Sequence, residues 1–223
     1  MKSLVTCITD VIKAHQAAFD KAYHWGFLID WDHCVILTDR SAKRQGTWQF
    51  MSACLLGSFG TTHMLVDDRE SSLWVLLYIA MRYTPNSLPP VVLHHDLESW
   101  FQDSILGPCG DTGGVGKQFM LNDKQALPSF YVHSLNELLQ ELADVFAVQY
   151  QPEPSEADYA LYDFMKVSPT LQMAKTTQMG EYLAKIEKRN SPIWLFKTLY
   201  KHAKLTQVPD KKGKDWHKNT CYS

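Results

Sequence analysis

Residues 46–56 read GTWQFMSACLL and residues 26–32 read GFLIDWD, and these two stretches decide the fold prediction for this chain. The apolar run 26–29 is short and ends at Asp30, which favours a buried strand followed by an acidic turn. Residues 33–62, which include GTWQFMSACLL, mix polar residues with glycines and show no sustained hydrophobic period. We therefore expect an ordered loop there, with one helical turn at residues 52–56.

The segments on both sides of these stretches show helical periodicity. Upstream, apolar residues recur at three- and four-residue intervals and predict an amphipathic helix that ends near Tyr23; they are Leu4, Ile8, Val11, Ile12, His15, Phe19 and Ala22. Downstream, residues 68–83 begin with acidic side chains and become apolar nearly all round, which predicts a central buried helix. After an extended crossing at Pro85, Pro89 and Pro90, further helices are expected at residues 96–106, 135–146, 155–166 and 191–205. The expected fold class is mainly α with one or two short β-strands.

Two of these helices carry recognisable start signals. Ser134 and Glu137 match a capping box in front of the leucine-rich stripe of the helix expected at residues 135–146. Ser191 is a suitable N-cap for the last one, with Pro192 at its first position. These signals predict where the two helices begin.

Composition excludes several classes of function. The 223 residues are 45% hydrophobic, enough to bury a core, and a net charge of −2 provides no basic surface for nucleic acid. The five cysteines lack CxxC spacing, so neither a zinc module nor a disulfide framework is expected, and a reducing compartment follows. No signal peptide and no membrane-spanning run is recognisable, which predicts an intracellular protein, cytoplasmic or nuclear. The lysines near the C-terminus are expected to lie on a solvated tail.

Two further patterns raise the question of ligand binding. Residues 107–117, GPCGDTGGVGK, are similar to a phosphate-binding P-loop, but Asp111 stands where its first glycine belongs and Gln118 stands where its Ser or Thr belongs. We therefore expect a flexible loop there. His63 with the acidic residues 67–68, and the group at 94–96, lack the spacing of known metal sites, so surface or capping roles are expected. No GxSxG elbow supports hydrolase chemistry.

The opening stretches resemble the two ends of a protein-kinase activation segment, which runs from a DFG motif to an APE motif. Together with the acidic opening of the next helix, DDRES at residues 67–71, they resemble the fungal-type protein kinase family over roughly residues 4–150. The resemblance implies the helical C-terminal lobe of a kinase fold. It divides the chain into a partial lobe at 1–150, a helical extension at 151–207 and a disordered tail at 208–223.

The resemblance also implies residue roles. Asp30 corresponds to the DFG aspartate and a magnesium ligand, while Thr47 corresponds to the substrate-loop threonine that supports the catalytic centre; a turn-stabilising hydroxyl is the other interpretation of Thr47. Structural roles are implied for Trp31, Gly46, Phe50, Asp67 and Asp68. The implied cofactors are ATP and magnesium, and the implied partner is a protein substrate or another protein.

Departures from the family pattern predict an inactive chain. Ala53 and Cys54 replace the Pro and Glu of APE, so the usual buried ion pair cannot form and apolar packing is expected to anchor the segment. Only Tyr23, His24 and Trp25 separate Ala22 from Gly26, which leaves no place for an HRD loop, and no Gly-rich loop or β3 lysine precedes them. We expect no phosphoryl transfer by this chain. The alternative to the implied ATP and magnesium is that the chain binds no cofactor. The alternative is a pseudokinase-like protein interaction module.

Overall fold

The computed structural model describes residues 5–13, 47–57, 60–108, 110–123, 126–167 and 171–205. Its helices are α1 (residues 5–13), α2 (Ala53–Gly57), α3 (Leu65–Tyr83), α4 (Pro90–Phe101), α5 (Val115–Asn122), α6 (His133–Phe146), α7 (Glu156–Met165), α8 (Leu171–Ala174), α9 (Gln178–Asn190) and α10 (Pro192–Leu205). Short 3₁₀ turns lie at Trp48–Phe50 and Ala147–Tyr150. Strands β1 (Ser104–Ile105) and β2 (Thr112–Gly113) pair antiparallel, with Ser104 opposite Gly113. The predicted class, mainly α with one or two short strands, is confirmed.

Several predictions lie outside the described residues. They are the strand at 26–29, the second half of the first helix and the tail at 208–223. Within the described ranges, none of the helices combines the length and the apolar character that crossing a bilayer requires.

Helix α3 is the centre of the hydrophobic core. Its buried apolar side chains are Leu73, Trp74, Leu76, Leu77, Ala80 and Met81. It packs against α4, α6 and α9, so apolar residues on most of its circumference find neighbours. The prediction of a central buried helix is confirmed, and the helix starts three residues earlier, at Leu65.

The two ends of the described chain join the same core. Val5 and Ile12 of α1 are buried there, together with Leu195, Leu199 and Ala203 of α10. The helical prediction is confirmed for residues 5–13, but Val11, which was placed on the apolar stripe, is 39% exposed. The buried face of α1 is therefore rotated, relative to the predicted stripe, away from Val11 and toward Val5.

Helix α4 corrects a predicted boundary. The expected helix 96–106 begins at Pro90 and ends at Phe101. Proline is tolerated in the first turn because its missing N–H would have no intrahelical acceptor there, so Pro90 starts the helix instead of breaking it. The residues beyond α4 enter β1, and the expected flexible loop at 107–116 contains β2 and the start of α5.

Helix α6 is confirmed, but its predicted capping box is wrong. The N-cap is Val132 and Ser134 lies inside the helix. Asn136 orders the approach instead: its Oδ1 accepts the Phe130 N–H at 2.8 Å and its Nδ2 donates to the Phe130 carbonyl at 2.7 Å. A side chain from the first turn thus fixes the preceding chain, a role that the capping-box pattern does not anticipate.

Helices α7 and α10 begin where the sequence predicts. Ser155 and Asp158 form a capping box at α7, and Ser191 Oγ accepts the Trp194 N–H at 3.2 Å at the start of α10. Helix α9 was not predicted, because its sequence is mostly polar and it buries only Met179 and Gly180.

Arg69 joins the start of α3 to the end of α9. Its Nη1 donates to the carbonyl oxygens of Asn190 at 2.8 Å and Arg189 at 3.3 Å. These carbonyls belong to the last turn of α9, where no intrahelical N–H is available. The guanidinium therefore satisfies a helix end that lies 121 residues away in the chain.

Candidate functional site

The described part of the GTWQFMSACLL stretch starts at Thr47. Thr47 is exposed, and its carbonyl oxygen accepts the Phe50 N–H at 2.9 Å, which closes the 3₁₀ turn; its side chain makes no capping bond. Phe50 packs edge-on against Tyr78 of α3, with ring centroids 5.5 Å apart. Asp30, Trp31 and Gly46 lie outside the described residues, and their roles stay predictions.

Ser52 and Asp67 connect this stretch to the N-terminus of α3. Ser52 Oγ donates to Asp67 Oδ1 at 2.6 Å, and Asp67 Oδ2 accepts the Met64 N–H at 2.7 Å. Burial raises the pKa of Asp67, although both hydrogen bonds oppose the rise. Asp67 thus caps α3 and holds the segment with one carboxylate.

Glu70 is fully buried one turn further along α3 and accepts four hydrogen bonds. Its Oε1 accepts the Ala53 N–H at 2.9 Å and the Trp74 indole N–H at 2.8 Å. Its Oε2 accepts the Tyr150 hydroxyl at 2.7 Å and the Gln149 amide. Burial raises the pKa of Glu70, while these donors and the charge of Lys117 stabilise the carboxylate form. Four donors around two oxygens match the acceptor capacity of an ionised carboxylate.

Lys117 reaches the same stretch from α5. The residue is 0% exposed, and its Nζ donates to the carbonyl oxygens of Met51 at 2.6 Å and Gln49 at 2.9 Å. The ammonium also lies 5.0 Å from the Trp74 ring centroid and 5.8 Å from that of Phe101. Burial lowers the pKa of Lys117 to about 7, against the charge of Glu70, which favours the protonated form.

Two glycines let α5 approach closely enough for this contact. At Gly116 a Cβ would lie 2.4 Å from the Ser99 carbonyl oxygen of α4. Gly114, the N-cap of α5, has φ +81°, and a Cβ there would lie 2.9 Å from Leu56 Cβ. Gly114 and Gly116 therefore serve close packing, and the expectation of a flexible loop is corrected, since residues 107–117 contain β2 and the start of α5.

We call Ser52, Asp67, Glu70, Lys117 and Tyr150 the anchoring cluster. It corrects the expectation that only apolar packing anchors the segment, because carboxylate, ammonium and hydroxyl groups hold its backbone. Helices α3 and α5 and the turn after α6 each supply a polar contact to the segment. Apolar packing contributes beside this cluster, since Met51, Leu55 and Leu56 form a small cluster with Trp48.

Cys54 lies beside the anchoring cluster but is not activated. Its backbone N–H donates to the Tyr150 hydroxyl at 3.0 Å, while the residue itself is exposed. Partial burial and the nearby carboxylates of Asp67 and Glu70 raise the pKa of the thiol. A raised pKa leaves less of the thiol as the nucleophilic thiolate at neutral pH.

His63 and Asp68 form a buried pair near the start of α3. His63 Nε2 lies 2.9 Å from Asp68 Oδ1, and each side chain is 6% exposed. Of the two roles expected for His63, surface and capping, the surface role is therefore wrong. Among the described residues, no group of three or more His, Cys, Asp or Glu is placed to hold a metal ion. The carboxylates of Asp67 and Glu70 already accept donors from the protein.

Sequence reasoning missed Lys117, Gln149 and Tyr150. The sequence does place Lys117 behind closely spaced glycines, a pattern that marks close backbone approach. Nothing in the sequence shows that Gln149 and Tyr150 meet Glu70, because 79 and 80 residues separate them from it.

Comparison with known proteins agrees with the motif assignment. A family model described as fungal protein kinase matches residues 18–80, which is well under half of the chain. The match contains both motif stretches and most of α3. The predicted resemblance is thus confirmed, and over this segment the chain is kinase-like. No curated protein and no solved structure matches the chain.

Proposed function

We propose that this chain carries the helical part of a fungal-type protein kinase domain and that, as this chain, it does not transfer phosphate. The observation that carries the first half is the attachment of residues 47–57 to the N-terminus of α3 through Ser52–Asp67 and Ala53–Glu70. The resemblance assigns the same region to the far end of an activation segment, which a kinase must hold firmly to present a protein substrate. A fixed segment end therefore supports a kinase-like role for the fold.

Inactivity rests on the sequence between Ala22 and Gly26, which has no HRD motif. A general base is worth about 10²–10⁴ in rate. Positioning of the reactants supplies about 7–11 kcal/mol of the barrier, and phosphoryl transfer depends mainly on positioning and electrostatics. One aspartate, Asp30, cannot replace these contributions. ATP and magnesium are the cofactors of the family, with Asp30 as the proposed magnesium ligand.

The test is incubation of the full chain with ATP, magnesium and generic protein substrates, beside an Asp30→Ala variant. We expect equal background labelling from both proteins. Labelling well above background that disappears in Asp30→Ala would overturn the proposed inactivity.

A further inference from the structure

Helix α7 presents an apolar stripe to solvent. Ala157, Ala160, Leu161 and Phe164 follow the spacing i, i+3, i+4, i+7, which places them on one face of the helix. All four residues are exposed, and Phe164 is 80% and Leu161 50% exposed. No residue of α7 is fully buried. Single exposed apolar residues are ordinary, but a continuous stripe at helical spacing is typical of a helix interface.

This stripe is not the face by which α7 joins the rest of the protein. The half-buried residues Asp158, Tyr162 and Met165 lie on the adjoining side of the helix, about 120° round from the centre of the stripe, and α7 packs against α8 and α9. Helix α7 therefore has two distinct faces. One is half-buried, and the apolar stripe is exposed to solvent.

Charge around the stripe indicates the chemistry of its partner. Residues 152–167 contain four carboxylates and one lysine. Two of the carboxylates, Glu156 and Asp163, are exposed and lie seven residues apart along one edge of the stripe. A second copy of this chain would bring the same acidic edge and be repelled, whereas a basic partner would be attracted.

We propose that Ala157, Ala160, Leu161 and Phe164 form a docking surface for an amphipathic helix of a partner protein that carries lysine or arginine beside its apolar face. The two alanines allow the backbones to approach, and Phe164 and Leu161 supply most of the apolar area that binding buries. Glu156 and Asp163 set the orientation and favour basic partners over acidic ones. The surface is separate from the anchoring cluster and from residues 18–80, so this inference goes beyond the proposed function.

The test uses the full chain and two synthetic helical peptides with the same Leu/Ala face. One peptide has lysines along the flank and the other has glutamates at the same positions. We expect fluorescence anisotropy to show binding of the lysine peptide only, and Phe164→Asp to weaken it about tenfold or more, as removal of a central anchor does. Ile193→Asp adds the same charge at an exposed apolar residue of α10 and should leave the affinity unchanged.

Because Phe164 is exposed, the variant should keep its fold, and equal circular dichroism spectra and urea midpoints check this. Three results would overturn the proposal: equal binding of both peptides, no binding of either, or equal weakening by Phe164→Asp and Ile193→Asp. Light scattering measures whether the full chain is a monomer or a dimer. A dimer that Phe164→Asp converts to monomer would assign the surface to a second copy and overturn the basic partner.

Discussion

Lys117 Nζ lies 2.6 Å from the carbonyl oxygen of Met51, which precedes it by 66 residues. The ammonium is fully buried, so it must offset its desolvation with hydrogen bonds and with the nearby Glu70 carboxylate. Lys117 donates to backbone carbonyl oxygens and not to a side chain. The side chains of residues 49 and 51 can therefore change without loss of the contact. This relationship fixes the segment although Ala53 and Cys54 stand where the resemblance places the Pro and Glu of APE.

We expect Lys117→Met to lower the free energy of unfolding by about 2–4 kcal/mol, because two buried carbonyl groups lose their donor and Glu70 loses a nearby charge. Methionine keeps the length and the apolar stem of the side chain. Urea denaturation followed by tryptophan fluorescence measures the change. Lys197→Met, at an exposed residue of α10, is the matched control and should alter stability by less than about 0.5 kcal/mol. Equal midpoints for the two variants would contradict the role of Lys117.

The lowered pKa of Lys117 predicts a pH dependence of stability. The value is about 7 in the folded protein and 10.5 for an unperturbed lysine, so between these pH values the unfolded chain binds more protons. The free energy of unfolding should therefore rise with pH in this window, by up to about 1.4 kcal/mol per pH unit, and this contribution is lost as the pH falls through about 7. Urea unfolding at a series of pH values, compared between the unmodified protein and Lys117→Met, isolates this contribution. A stability difference that stays constant across the window would refute it.

Replacing Gly116 with alanine tests the close approach of α4 and α5. Alanine favours helices over glycine by about 1 kcal/mol, so propensity alone predicts stabilisation. The new Cβ would lie 2.4 Å from the Ser99 carbonyl oxygen, and we expect overpacking to reverse the sign and destabilise by about 1–3 kcal/mol. Thermal unfolding measures the difference. Gly57→Ala, whose Cβ would lie 3.4 Å from the end of the Gln118 side chain and 3.9 Å from the Gly113 carbonyl oxygen, should be close to neutral. A stabilised Gly116→Ala protein would show that α5 can shift freely.

Glu70→Gln tests whether Glu70 acts as a carboxylate. In the native protein, the two carboxylate oxygens accept four hydrogen bonds. Glutamine replaces one of these oxygens with an NH2 group, so the protein N–H or O–H groups that donate to that oxygen would lose their acceptor. We expect a loss of about 3–5 kcal/mol in the free energy of unfolding, the usual cost of breaking a buried charged network. Glu187→Gln, at an exposed position of α9, provides the matched control. If the two variants unfold at the same urea concentration, Glu70 is not the centre of the anchoring cluster.

Strong periodicity made the main helices predictable. The apolar residues of α6 recur at helical spacing, those of α3 form a long apolar run behind an acidic start, and the structure buries most of both sets. Helix α9 shows the limit of this signal, because a charged sequence with two buried residues has little periodic contrast. The start of α4 shows another limit: Pro90 is equally compatible with a helix start and with a break, and packing decides between them.

The sequence indicates some members of the anchoring cluster and not others. The motif comparison identified Asp67 and Asp68 at a helix start and showed that Ala53 and Cys54 had replaced Pro and Glu. The compensating Lys117 and Tyr150 come from distant parts of the chain, and their contacts depend on how α5 and α6 pack on α3. A single sequence carries no record of such long-range pairing, and the glycines before Lys117 predict a loop as readily as a tight packing contact.

The position of Arg69 has a consequence for the order of folding during synthesis. The acceptors of Arg69 lie 120 and 121 residues after it in the chain, so they are not yet synthesised when the ribosome has made α3. Tyr150, a partner of Glu70, follows 80 residues after that carboxylate. Contacts this distant in sequence are slow to form and cannot be completed from the N-terminus alone. We expect the kinase-like segment to emerge first and to reach its final structure only after the last turn of α9 has left the ribosome.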